Sequence, residues 1–168
     1  MKLTGTYNGK TIELELTEEQ VKILEQAGKN KTGWERVEKN QPYYVNYADD
    51  YGWTTECFED VGTNRYKNSN YFSDEILAKN ICRAQTLQRK LWRRSAELCK
   101  KMNWKDSMTK KYSIYYNYDI DSLRTSCTLF YRGLGEIYFD TKEHAEQVIE
   151  EFKDELIWYF TEFKSRMD

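Results

Sequence analysis

Proline is nearly missing. Pro42 is the only one in 168 residues, which excludes long Pro-rich linkers. Histidine also occurs once, as His144. It falls in the first turn of the last predicted helix, with no nucleophile or acid suggested nearby, and reads as an exposed helix residue rather than a catalytic base. No run of 18 apolar residues occurs, so no membrane span is expected. The opening MKLTGTYNGK lacks the apolar stretch of a signal peptide. Cys57, Cys82, Cys99 and Cys127 form no C-x-x-C pair, so neither a disulfide framework nor a zinc site is expected. Four free thiols without an export signal point to a reducing cytoplasm. Nucleophile-elbow, phosphate-loop and dinucleotide motifs are all missing. Gly133-Leu134-Gly135 is the nearest Gly-rich piece and reads as a hairpin turn. The sequence therefore predicts no enzyme, no cofactor and no metal.

Large side chains are plentiful. Hydrophobic residues make up 39%, charged residues 32% and aromatics 15%, with 14 Tyr and 5 Trp. A core built from aromatics follows, with Tyr hydroxyls and Trp N–H groups reaching the surface. The length suits one domain or two small packed halves. Net charge is −2, and its distribution is uneven. Residues 73–103 hold eight Lys/Arg against three Asp/Glu, while 141–168 hold four against eight. Asp49-Asp50 and Asp119/Asp121 recur at matching places; both pairs sit between strands, where Asp favours turns over Mg²⁺ binding.

An α+β fold is predicted. Residues 1–33 read as a β-hairpin around Asn8-Gly9 and a short helix with a Thr17–Gln20 capping box and a Gly28 stop. From Trp34 the chain states one pattern twice, over 34–103 and 104–168. Each unit holds about three antiparallel strands and a long helix. The first strands are 42–47, 54–58 and 66–72; the second are 111–118, 123–131 and 136–139. Ser73 and Thr141 take the N-cap positions. The helices run over about 74–102, basic, and 142–164, acidic, each with a continuous apolar stripe.

Two surfaces stand out. Lys79, Arg83, Lys90, Arg94 and Lys101 share one face of the basic helix, with Arg89, Arg93 and Lys100 beside them. Three readings stay open: a solvated face balanced by the acidic helix, a track for nucleic-acid phosphates, or a site for an acidic protein. Strand alternation places Tyr112, Ile114, Tyr116 and Tyr118, and likewise Tyr43, Val45 and Tyr47, on core faces. Tyr44 and Tyr115 are left facing outward, available to a partner or to base stacking.

The stretches TGWERVEKNQPYYVNY, NSNYFSDEILAKNICRAQTLQRKLWRR and IYFDTKEHAEQVIEEFKDELIWYFTEF resemble a family of phage and prophage proteins of Firmicutes, especially gut Clostridia. The likeness covers residues 32 to 163. The family carries no assigned activity, so the resemblance implies context only. Small phage proteins without an active site often act by binding. The resemblance thus implies a non-enzymatic inhibitor of a host defence complex in the bacterial cytoplasm, of the anti-CRISPR type, with Cas9 and its guide RNA as an example. The alternative is a nucleic-acid-binding accessory protein of phage replication or transcription. A homodimer through the two oppositely charged helices is a further expectation.

Overall fold

KLTGTY and KTIELE pair as antiparallel strands β1 (Lys2–Tyr7) and β2 (Lys10–Glu15), in register from Lys2↔Glu15 to Tyr7↔Lys10. Helix α1 (Glu18–Ala27) follows. Its capping box forms as the sequence predicts: Gln20 N–H donates to Thr17 Oγ1 at 3.2 Å, and Thr17 N–H donates to Gln20 Oε1 at 3.0 Å. The computed structural model describes residues 2–7, 10–27, 31–47 and 50–163, so Asn8-Gly9, Gly28 and Asp49 lie outside the described residues. The chain divides into two compact units, Met1–Thr32 and Gly33–Asp168.

The second unit holds two antiparallel sheets. Strands β3 (Pro42–Asn46) and β4 (Tyr51–Thr55) form one. An isolated bridge joins Tyr44 to Phe72 on the far side of β3. Helices α2 (Asp60–Lys67) and α3 (Glu75–Leu98) follow. The other sheet has the order β6-β5-β7, from β5 (Lys111–Asn117), β6 (Ser122–Thr128) and β7 (Tyr138–Phe139). Helices α4 (Lys142–Glu151) and α5 (Lys153–Thr161) end the described chain.

Helix α3 serves both sheets. Its first half buries Leu77, Ala78 and Ile81 with Phe72, against which Trp34, Tyr44 and Tyr51 pack. Its second half buries Leu87 and Leu91 with Phe139, Ala145, Val148 and Leu156. A smaller cluster holds Tyr43, Val45 and Tyr71; the Tyr43 and Tyr71 rings stack at 4.0 Å between centroids.

Several boundaries differ from the sequence reading, for local reasons. The segment expected as a strand over 66–72 opens as α2, with Asp60 in the first turn and Arg65 and Lys67 in the last, complementing the helix dipole. The expected strand 54–58 is β4, shifted earlier, because Phe58 takes a left-handed φ of 58° that no strand accommodates. Asp74 rather than Ser73 caps α3, its Oδ1 accepting from Leu77 N–H at 2.7 Å; Ser73 Oγ donates to Glu35 instead. Helix α3 stops at Leu98, short of 102, because Cys99 is extended and Lys100 N–H donates to Asp140 Oδ2 at 2.9 Å. Lys101 is therefore off the helix. The single acidic helix is instead two, broken at Phe152, whose ring packs against the main core. Thr141 caps α4 as expected, accepting from His144 N–H at 3.1 Å.

Candidate partner-binding surface

The basic face of α3 is largely answered within the chain. Lys90 Nζ lies 2.8 Å from Glu155 Oε1, and Arg94 Nε lies 2.7 Å from Glu151 Oε2. Arg94 and Arg93 also reach Glu97, at 3.1 and 3.7 Å. The Arg83 guanidinium sits 3.7 Å from the Trp158 ring centroid, a cation–π contact. Arg89 donates to Thr86 Oγ1 at 2.8 Å. Lys79 and Lys101 are exposed. Lys90 and Arg94 of the ridge drawn from helical spacing thus join the acidic helices, while Lys79 and Lys101 stay exposed.

The two tyrosines part company. Tyr44 does not face outward as strand parity predicts. It is half-buried against the Phe72, Leu77 and Ile81 cluster, because both faces of β3 are covered: α3 lies on one, Tyr71 and Val37 on the other. Tyr47, expected in the core, is exposed, as is Tyr118, whose hydroxyl donates to Phe160 O at 2.6 Å. Tyr115 is exposed, as alternation requires.

Tyr115 stands on the wall of a groove of about 420 Å³. The other walls come from α3 (Leu87, Leu91), α5 (Tyr159) and the segment 134–137. The groove exists because β7 is short. It pairs with β5 only at Tyr112↔Phe139 and Ser113↔Tyr138. Continuing that register would set Ile137 opposite Ile114 and Glu136 opposite Tyr115. The chain leaves the sheet first, because Tyr138 holds the turn to itself. Its hydroxyl accepts from Gly133 N–H at 2.8 Å and donates to the Glu136 carboxylate. Gly135, at φ 79°, supplies the left-handed step of this turn. The edge of β5 past Ser113 is left without a strand partner among the described residues.

The rim is apolar and aromatic. Leu134 is fully exposed at its tip, and Trp92, Phe130 and Tyr131 are each more than half exposed nearby in the chain or on the adjoining groove. Arg132 lies 5.6 Å from the Trp104 ring. Trp92 and Arg132 on the adjoining groove and Tyr115 on this one are the residue types enriched in protein-binding hot spots. Neither Leu134 nor Trp92 was singled out by sequence reading; Gly133-Leu134-Gly135 was the available signal, since a Leu at the tip of a Gly turn has nothing to pack on.

One cluster joins three metal-ligating side chains. Cys99, Asp140 and His144 bring their donor atoms within 4.8 Å of one another. His144 Nδ1 is 2.7 Å from Asp140 Oδ1. Burial pushes the Cys99 thiol up; the Asp140 N–H opposes this and the Asp140 carboxylate adds to it. A protonated thiol facing a carboxylate is not an activated nucleophile. The aspartates 119 and 121 behave as turn residues: Asp121 accepts from the Tyr116 hydroxyl at φ 52°, and Asp119 N–H bonds Asn117 Oδ1.

Among the described residues, no helix is long and apolar enough to cross a membrane. No family model, curated protein or solved structure matches the chain.

Proposed function

We propose that this chain is a non-enzymatic binding protein of phage or prophage origin that inhibits a host defence complex, and that it engages its partner through the groove between Tyr115 and Leu134. The unpaired β5 edge carries this reading. An edge strand beside an apolar trough accepts an extended partner segment, with backbone hydrogen bonds supplying affinity and the trough selecting its side chains. The host-defence context comes from the sequence resemblance, with a Cas9-type ribonucleoprotein as an example partner. The test is capture from a CRISPR-bearing or restriction-bearing host by the tagged chain, beside a plaque assay. Recovery of a defence component and relief of phage restriction are expected. Unchanged restriction with no recovered component overturns the proposal.

The nucleic-acid reading is second. Exposed Lys79, Arg89, Arg93 and Lys101 keep it open, while the pairing of Lys90 and Arg94 reduces the phosphates such a surface neutralises. It predicts binding that weakens steeply with salt; salt-insensitive or absent binding to DNA and RNA removes it.

The proposal includes an internal duplication within 34–168. It is supported by the parallel orders β4-β3-Phe72 and β6-β5-β7, each followed by a side-chain-capped helix. The insertion of α2 and the break at Phe152 are the departures. Separate expression of 34–103 and 104–168 tests whether either half folds without α3 shared between them; independent folding of both supports duplication of a free-standing unit.

A further inference from the structure

The end of α3, the end of β7 and the first turn of α4 meet at Cys99, Asp140 and His144. The geometry points to a divalent-cation site of the zinc class, in which Cys99 Sγ, an Asp140 carboxylate oxygen and a His144 ring nitrogen hold the ion and a fourth position stays open. Sulfur, imidazole and carboxylate together are the donor set that borderline-soft zinc prefers over magnesium or calcium.

The spacing fits. Metal–ligand bonds of about 2.0–2.3 Å in a tetrahedron put donor atoms roughly 3.3–3.6 Å apart. The three donors already lie within 4.8 Å, so the site closes by about an ångström of side-chain motion. His144 Nδ1 and Asp140 Oδ1, now 2.7 Å apart across a shared proton, open slightly as the ion replaces that proton. The thiol proton also leaves to solvent when sulfur ligates.

The supporting groups are in place. Asp140 Oδ2 is held by Lys100 N–H at 2.9 Å, which orients the carboxylate and leaves Oδ1 toward the site. Thr141 Oγ1 fixes the backbone of His144 at 3.1 Å. Ser95 Oγ donates to Tyr138 O at 2.7 Å and lies 3.9 Å from Cys99 Sγ, tying α3 to β7 behind the sulfur. All three ligands are half-buried, which gives an entry path without full exposure. Such outer partners are what hold metal ligands in register. Spacing along the sequence concealed the site, because Cys99 is far from the other two and the chain contains no C-x-x-C pair.

Cobalt(II) titration of the full chain tests the site, in a Cys57→Ser, Cys127→Ser background that removes the two exposed thiols. A thiolate-to-cobalt charge-transfer band saturating at one equivalent is expected, bleached by zinc, with a rise in Tm on zinc addition. Cys99→Ala should abolish the band, and Asp140→Asn, which retains an acceptor for Lys100 N–H, should weaken affinity by about tenfold or more. His144→Ala should do the same, and far-UV circular dichroism identifies variants that remain folded. No band in the background protein, a band that survives Cys99→Ala in a folded variant, or an affinity unaffected by both Asp140→Asn and His144→Ala overturns the assignment.

Discussion

The Tyr71 hydroxyl donates to the Glu56 carboxylate at 2.8 Å, inside the core of the first sheet, where Glu56 is 0% exposed. Arg36 reaches the same carboxylate from the rim, Nε to Oε2 at 3.0 Å, and Phe58 N–H donates to Oε1 at 2.6 Å. One buried acid thereby holds the 35–37 segment, Tyr71 and the left-handed Phe58 together. Gly62 packs beside it; a Cβ there would lie 2.9 Å from Glu56 Oε1, so the carboxylate would have to shift.

Tyr71→Phe removes the hydroxyl donor while keeping the ring that stacks on Tyr43. A loss of about 1–3 kcal/mol in urea unfolding is expected, since a buried charged acceptor loses a partner. No change in the urea midpoint would show that Arg36 and Phe58 N–H suffice.

The Arg36 guanidinium holds the Glu56 carboxyl below the usual carboxylate range, against the opposing effect of burial. In the unfolded chain Glu56 titrates near the ordinary value of about 4.3. The unfolded state therefore takes up the proton first as pH falls. The stabilisation is complete above the unfolded value and is lost as pH drops through the lower folded value. Tm measured from pH 7 downward should fall less steeply for Glu56→Gln than for the wild type.

Phe139 is 1% exposed at the centre of the main core, between α3, α4 and α5. Phe139→Ala should cost about 3–5 kcal/mol in chemical denaturation, through lost burial and the cavity left behind. A cost under about 1 kcal/mol would mean that the short strand β7 can be vacated.

Lys90 and Glu155 are each more than a third exposed, so their pairing contributes little despite its 2.8 Å geometry. A double-mutant cycle with Lys90→Met and Glu155→Gln should give a coupling of about 0.2–1 kcal/mol that shrinks with added salt. A salt-independent coupling would require a drier seam between α3 and α5.

At the groove, Tyr115→Ala with Leu134→Ser should leave folding stability within about 0.5 kcal/mol, since both side chains are exposed. Partner affinity should fall roughly thirtyfold or more if these are hot-spot residues. Lys79→Glu serves as a control at an exposed site outside the groove lining, and equal losses from both would disperse the binding surface.

Local signals were legible where they act over three or four residues. The Thr17–Gln20 capping box, the Thr141 cap, the α3 stripe and the placement of β5 all follow from side-chain spacing alone. The strand at 66–72 was misread because Tyr66 and Tyr71-Phe72 carry strand propensity, while the dipole-matched charges of α2 decide the outcome. Tyr44 was misread because alternation assumes one wet face, and β3 has none.

By itself the sequence determined the α+β class, the aromatic core and the two oppositely charged helical segments, since periodicity, propensity and charge are carried by each residue and its near neighbours. Only the tertiary structure decided what those segments meet. It turned Lys90 and Arg94 toward Glu155 and Glu151, stopped α3 at Cys99 by lending Lys100 N–H to Asp140, and opened the groove by ending β7 after two residues. The ion pairs and the stop of α3 join groups forty or more residues apart, and the groove depends on where β7 meets β5, so packing of the whole unit sets each of them and no periodic trace of it remains in the chain.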